Sequence, residues 1–256
     1  MMAGMPPLPL PVLLALVVTL LGAATGATVM VLRLHKRIRR MEDTPPSTIA
    51  GLKPGLVELS GTLHPVAELQ HAPVTARACI WWRFTVAEKR TSGGMNNGTP
   101  NVQTRWVAVV DDRAFVPCRL QDGTGSVEMD LSGADMVLRN TVHAFTGPME
   151  DAPPEVESLL QDRYGKTTRG WWWSKTLRLS ETVLPPATQV YVLGHAVEGP
   201  GGVLRIARGG DSLLISDRSE ADLLRTYRWQ RAGAVATVTA LAIAALVLIV
   251  GPILGW

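Results

Sequence analysis

Five histidines (His35, His64, His71, His143 and His195) and two cysteines (Cys79 and Cys118) are the side chains here best suited to hold a metal or attack a substrate. No histidine has a Cys, Asp or Glu at the spacing of a metal site such as a His-Glu-x-x-His helix. Two cysteines are too few for a disulfide framework or a Cys-rich zinc site, and both sit in apolar, strand-like stretches. The acidic pairs Asp111-Asp112 and Glu150-Asp151 lie at loop-like positions and read as solvated turns rather than acid/base partners. Gly199-Pro200-Gly201-Gly202 and Gly209-Gly210-Asp211 separate short apolar runs and read as hairpin turns, and no nucleophile elbow, phosphate loop or dinucleotide fingerprint is present. The expectation is a chain with no catalytic constellation, no metal and no cofactor.

One cluster points to contact chemistry instead. Arg169-Gly170-Trp171-Trp172-Trp173-Ser174-Lys175 puts three tryptophans in a row between two cations. Strand side chains alternate, so the three cannot share one face. Either they pack between a sheet and the helix expected at residues 154–164, or part of the cluster meets lipid headgroups or a partner. Tyr227 and Trp229 are further candidates for that contact.

Two apolar spans position these residues. Residues 12–34 are followed at once by a basic run containing Lys36, Arg37, Arg39 and Arg40, with Arg33 at its margin. Residues 232–256 are preceded by Arg225, Arg228 and Arg231. About twenty helical residues cross the hydrocarbon core of a bilayer. The basic run follows the first span rather than preceding it, which argues for a retained anchor over a cleaved signal. Both sets of charges flank the middle of the chain, so the positive-inside bias puts that middle in the cytosol. The expected order is a non-cytosolic end at 1–11, a span at 12–34, a collar and Pro-rich linker at 35–48, and a cytosolic domain at 49–224. An interfacial helical segment at 225–231 and the span at 232–256 complete it.

The chain's net charge of +3 belongs to this membrane boundary. Residues 44–224 hold 17 basic against 20 acidic residues, a balance that gives the domain no claim on nucleic acid. The expected partners are the lipid bilayer and an unidentified protein. Gly22 and Gly26, and the stripe Ala232, Ala236, Ala240 and Ala244, have the spacing that lets helices approach in lipid, within one chain or between copies in a homo-oligomer.

Within the domain, alternating runs predict strands at 57–63, 75–88, 106–110, 115–120, 126–130, 137–142, 176–179, 189–197, 202–207 and 212–215. The turn-rich stretch 91–103 predicts a flexible loop, and Asp122-Gly123-Thr124-Gly125 a tight hairpin. Asp217 and Glu220 have capping-box spacing for a helix running without a break into the second span. The fold class is therefore α+β and mostly β, with one short helix and two flanking transmembrane helices. The Phe115-x-x-x-x-Leu120-x-Asp122-x-Thr124-Gly125-x-Val127 hairpin resembles that of small OB-like barrels, which implies a barrel-type, OB-like β domain.

Several short patterns then resemble the GIDE family. They are Val57-Glu58-Leu59-Ser60-Gly61-Thr62; residues 73–83 with Ala78-Cys79; and Phe115-x-x-x-x-Leu120-x-Asp122-x-Thr124-Gly125-x-Val127. Glu181-x-x-Leu184-Pro185 with Val190-Tyr191-Val192-Leu193-Gly194, and Leu214-Ile215-Ser216 with Leu223-Leu224, extend the match across the domain. The resemblance implies a β domain lying beside a membrane and an E3 ubiquitin ligase function carried by a zinc-binding RING after the second span. This sequence ends at Trp256 with two cysteines, so the expectation is a non-catalytic scaffold or partner-binding module, with a setting in membrane stress. The alternative is a ubiquitin-ligase component whose RING is supplied in trans.

Overall fold

A computed structural model describes residues 9–96, 99–139, 141–146, 154–167, 175–210 and 213–250. The chain divides into two compact units, one built from both ends and one from residues 46–218.

The terminal unit is a pair of long helices. α1 spans Leu10–Asp43, with Pro11 in its first turn, where a missing N–H costs nothing. The last helix, α3, spans Glu220–Val250 and carries Glu220 and Asp222 in its first turn, as the helix dipole favours. Its cap is Ser219, whose Oγ accepts the Asp222 N–H at 3.2 Å. Asp217, expected as that cap, instead takes the Arg139 N–H on both carboxylate oxygens at 3.0 and 3.1 Å. A carboxylate two residues ahead of the cap found a long-range donor, and the serine next to the helix took the local role.

The central unit contains β1 (Gly55–Pro65), β2 (Gln70–His71), β3 (Ala78–Cys79), β4 (Trp81–Asn96) and β5 (Thr99–Phe115). There follow β6 (Cys118–Gln121), β7 (Ser126–Met129), β8 (Asp135–Val137) and β9 (Thr141–Thr146), then helix α2 (Pro154–Tyr164). β10 (Leu177–Leu184), β11 (Gln189–Glu198), β12 (Leu204–Ala207) and β13 (Leu214–Ser216) complete it.

β1, β6, β7, β12 and β11 lie side by side in that order, and β1 pairs back onto β11 over eight residues to close a five-stranded barrel. All neighbouring pairs are antiparallel except β12 with β7. Ranked along the chain, the barrel strands run first-second-third-fifth-fourth, with the third and fifth parallel; this is the OB-type closure. β13 and β8 extend the sheet beyond β11. Period-two burial fills the interior with Leu59, Leu63, Leu120, Val192, Ile206 and Ile215. Gly61 is needed where β1 meets β6, because a Cβ there would stand 2.5 Å from the Gln121 carbonyl oxygen.

The segments inserted between barrel strands build a second layer. β5, β4, β10 and β9 form an antiparallel sheet in that order, and α2 packs on one face of it. Trp82, Phe84, Val86, Leu179 and, from α2, Leu160 make this second core.

Three strand boundaries differ from the sequence reading, the first being the run at 75–88, which divides into β3 and β4 in different sheets. The stretch 91–103 is not a loop: β4 and β5 pair residue by residue out to Asn96 and Thr99. An exposed two-stranded ribbon needs no buried face, so its polar, Gly-rich composition is the same as that of a loop. The run at 137–142 breaks into β8 and β9, which belong to different sheets, because the chain crosses between layers there.

Candidate membrane-anchoring site

α1 has 34 residues and α3 31, and each is long and apolar enough to cross a membrane. At 1.5 Å per residue each measures about 45–50 Å, more than the hydrocarbon core of about 30 Å. The surplus carries the basic collar as helix. These two helices support an integral membrane protein.

The helices pack against each other. On α1 the covered positions are Val17, Leu20, Ala24, Ala27, Val31, Leu34, Ile38 and Met41. On α3 they include Leu223, Tyr227, Arg231, Ala234, Val238, Leu241, Ala245 and Leu248. Steps of three and four alternate along α1 and, from Tyr227 onward, along α3, the seam of an antiparallel coiled coil. This repeat is not legible in the sequence of α1, because the uniform apolarity of the span masks it.

The collar is tied across the seam. Arg37 donates to the Tyr227 hydroxyl at 3.2 Å, and its guanidinium lies 5.2 Å from the ring centre. Arg228 bonds Glu42 at 2.6 Å, and Arg231 stands 3.3 Å from His35 Nδ1. Tyr227 is buried, whereas Trp229 is 72% exposed. Arg33, Lys36, Arg39 and Arg225 are exposed and Arg40 is half-buried. Where such cations meet anionic lipid, each contributes about 1 kcal/mol.

Gly22, Gly26, Ala236 and Ala240 all lie on exposed faces. A Cβ added at either glycine meets nothing within 4 Å, so the helix–helix seam within the chain uses other small residues, Ala24, Ala27, Ala234 and Ala245. Arg169 and Trp171, Trp172 and Trp173 lie outside the described residues. Lys175, at the far side of that cluster, donates to the Thr167 carbonyl at 3.3 Å.

No group of three or more His, Cys, Asp or Glu side chains able to hold a metal occurs among the described residues. Cys79 and Cys118 are free and buried. Burial, reinforced by Glu181, pushes the Cys79 thiol up to about 11, and burial pushes Cys118 to about 12. Neither supplies a thiolate near neutral pH.

Two helices able to span a bilayer, with an OB-type barrel and a second sheet lying between them in the sequence, define the class of protein. The model of the GIDE family, described as E3 ubiquitin ligase, matches residues 88–250, and the chain belongs to that family. No curated protein and no solved structure matches it.

Proposed function

We propose that this chain is a double-anchored membrane scaffold whose central domain faces the cytosol and binds a protein partner at the bilayer surface. The carrying observation is the placing of the collar: both apolar helices bear their cations at the end adjoining the domain, and none of the described residues beyond the spans does. By the positive-inside bias this supports a cytosolic domain. A domain held at both ends gains effective concentration toward anything on that surface. The resemblance to the family supports a setting in membrane stress.

The OB-type barrel raises nucleic acid as a ligand, and its outer face argues against it. Recognition there uses aromatic stacking on the second and third barrel strands. Here those strands present Arg119, Gln121, Ser126 and Glu128, with Arg119 and Glu128 paired at 3.1 Å.

A second reading rests on the family description: the chain serves a ubiquitin ligase whose RING comes from another protein. In-membrane crosslinking of the full-length protein with mass spectrometry separates the two. Recurrent capture of one protein lacking a RING supports the scaffold; a RING protein that restores ubiquitin transfer in a purified mixture supports the second. Capture of lipid alone overturns both. Protease protection in sealed vesicles checks the side, since a domain resistant from the cytosolic face is on the wrong side for either.

A further inference from the structure

β5 is the outermost strand of the second sheet and pairs only with β4. Its 17 residues therefore present a row of backbone N–H and C=O groups with no strand beside them among the described residues. Native edges this long are normally shortened, charged or covered. Here the register shifts opposite Val86 and Ala87, a bulge that places Val109 out of the ladder.

Beside the bulge the edge borders a shallow groove that is largely open to solvent. A cavity of about 390 Å³ lies between β5 and the end of α2. Val109 and Val110 supply its apolar part, and Arg163, Tyr164 and Lys166 its wall. The wall is built before any ligand arrives. Tyr164 donates to Asp112 at 2.9 Å and Arg163 to the same carboxylate at 3.1 Å, while the Arg163 guanidinium sits 5.0 Å from the Trp82 ring. Gly165, at φ +60°, ends α2, so that its own N–H reaches Gln161 O and the Lys166 N–H reaches Leu160 O. That turn fixes Lys166 at the rim.

The charges around this groove do not balance. Asp112 is engaged by Arg163 and Tyr164, and Asp111 by both nitrogens of Arg83 at 2.8 Å. Lys166 is exposed at the rim and Arg105 and Arg113 are exposed along β5; Arg113 acts on the Asp111 carboxylate, while among the described residues no acidic side chain is seen to pair with Lys166 or Arg105. An extended segment fits all three features. Its backbone pairs with the edge, an apolar side chain enters beside Val109 and Val110, and a carboxylate meets Lys166.

We infer that β5 and α2 form a strand-addition groove that takes an extended, acidic peptide segment of a partner protein. This inference rests on the reading that the central domain binds a protein partner, and it names where and by what chemistry. An edge of this kind gives affinity through the main chain and selects through alternate side-chain pockets.

The test is selection of a ten-residue peptide display library on the full-length protein in nanodiscs, followed by affinity measurement and amide hydrogen exchange on the enriched peptides. The expected peptides carry an acidic residue, slow exchange in residues 106–113, and weaken at least fivefold on Lys166→Glu. Exchanging their acidic residue for Lys restores binding to that variant. Lys166 is exposed, so the substitution leaves the fold intact. Enriched peptides that protect another surface, or that bind Lys166→Glu equally well, overturn the groove while keeping the partner-binding reading. No enrichment over empty nanodiscs overturns both.

Discussion

Asp122 and Ile49, 73 positions apart, are joined by a hydrogen bond in which the Ile49 N–H donates to Asp122 Oδ2 at 2.9 Å. The other carboxylate oxygen takes the Thr124 N–H at 2.6 Å, the Thr124 hydroxyl at 2.7 Å and the Gly125 N–H at 2.9 Å. The Thr124 oxygen in turn accepts the Ala50 N–H at 3.1 Å. One aspartate thus shapes the β6–β7 turn and fastens to it the 3-10 turn at Ile49–Gly51 that leads into the barrel.

Asp122→Ala leaves four donors without their acceptor, and because most of them are open to water a loss of about 0.5–1.5 kcal/mol is expected. Partial burial pushes this carboxyl up, but the Thr124 hydroxyl and three backbone N–H groups outweigh it and hold it below its ordinary 3.8. The folded state therefore resists protonation more than the unfolded state does. Its contribution is complete above about pH 5 and is lost as pH falls through 4 toward the folded value. Thermal midpoints of wild type and Asp122→Asn in detergent should differ at pH 7, with the gap narrowing as pH falls below about 4; a gap that does not narrow rules this linkage out.

Glu181 does similar work in the second layer. Although 3% exposed, it accepts the Val74 N–H at 2.6 Å, the Thr75 N–H at 3.1 Å and the Thr75 hydroxyl. Those donors sit in the β2–β3 turn, where Ala76 adopts a φ of 51°. A charged acceptor with three donors is worth more than a neutral one, so Glu181→Ala should cost about 2–3 kcal/mol. Amide exchange in residues 72–79 should quicken well before the barrel opens. Exchange that rises uniformly over the domain would falsify a local role.

These two carboxylates explain what was legible in the sequence. The Asp122-x-Thr124-Gly125 spacing announces its own turn, because Thr124 and Gly125 are neighbours of the acceptor. Ile49 could not be read, since nothing local marks a donor that arrives from across the barrel. The barrel class followed from the likeness of the hairpin at 115–127 to that of OB-like barrels, where period two is plain in β6 and β7, whereas β11 is buried at successive positions and reads as a continuous apolar run. The second sheet was less visible. Half of its longest pair is an exposed ribbon with no apolar face, and only three residues separate β8 from β9, with no glycine or proline to mark the break. The groove at β5 was hidden for the same reason, as Val109 and Lys166 are brought together only by the sheet and the end of α2.

The cysteines give a direct check on the core. With their thiols pushed to about 11 and about 12, Cys79 and Cys118 hold almost no thiolate at pH 8. Iodoacetamide should label neither in the folded protein and both in denaturant, as counted by mass spectrometry. Because Glu181 adds to the Cys79 shift, Glu181→Ala should widen the lead in reactivity that Cys79 already holds over Cys118. Labelling of Cys118 first would mean that the barrel, rather than the second sheet, is the part that opens.

The helix pair predicts a difference between two alanines separated by a single residue. Ala234 lies on the seam facing α1, while Ala236 is exposed on the opposite face of α3. In lipid there is little hydrophobic drive between helices, so close packing of small side chains holds the pair. A phenyl ring at Ala234 must push α1 away and is expected to cost about 1–3 kcal/mol. The same ring at Ala236 projects outward and should be tolerated. Thermal unfolding in a mild detergent, followed by the Tyr and Trp signals, should show a lowered midpoint for Ala234→Phe and an unchanged one for Ala236→Phe. The reverse order would place the contact surface of α3 on the Ala236–Ala240 stripe. Equal losses would mean that both faces are packed, which in a two-helix unit requires a second copy of the chain.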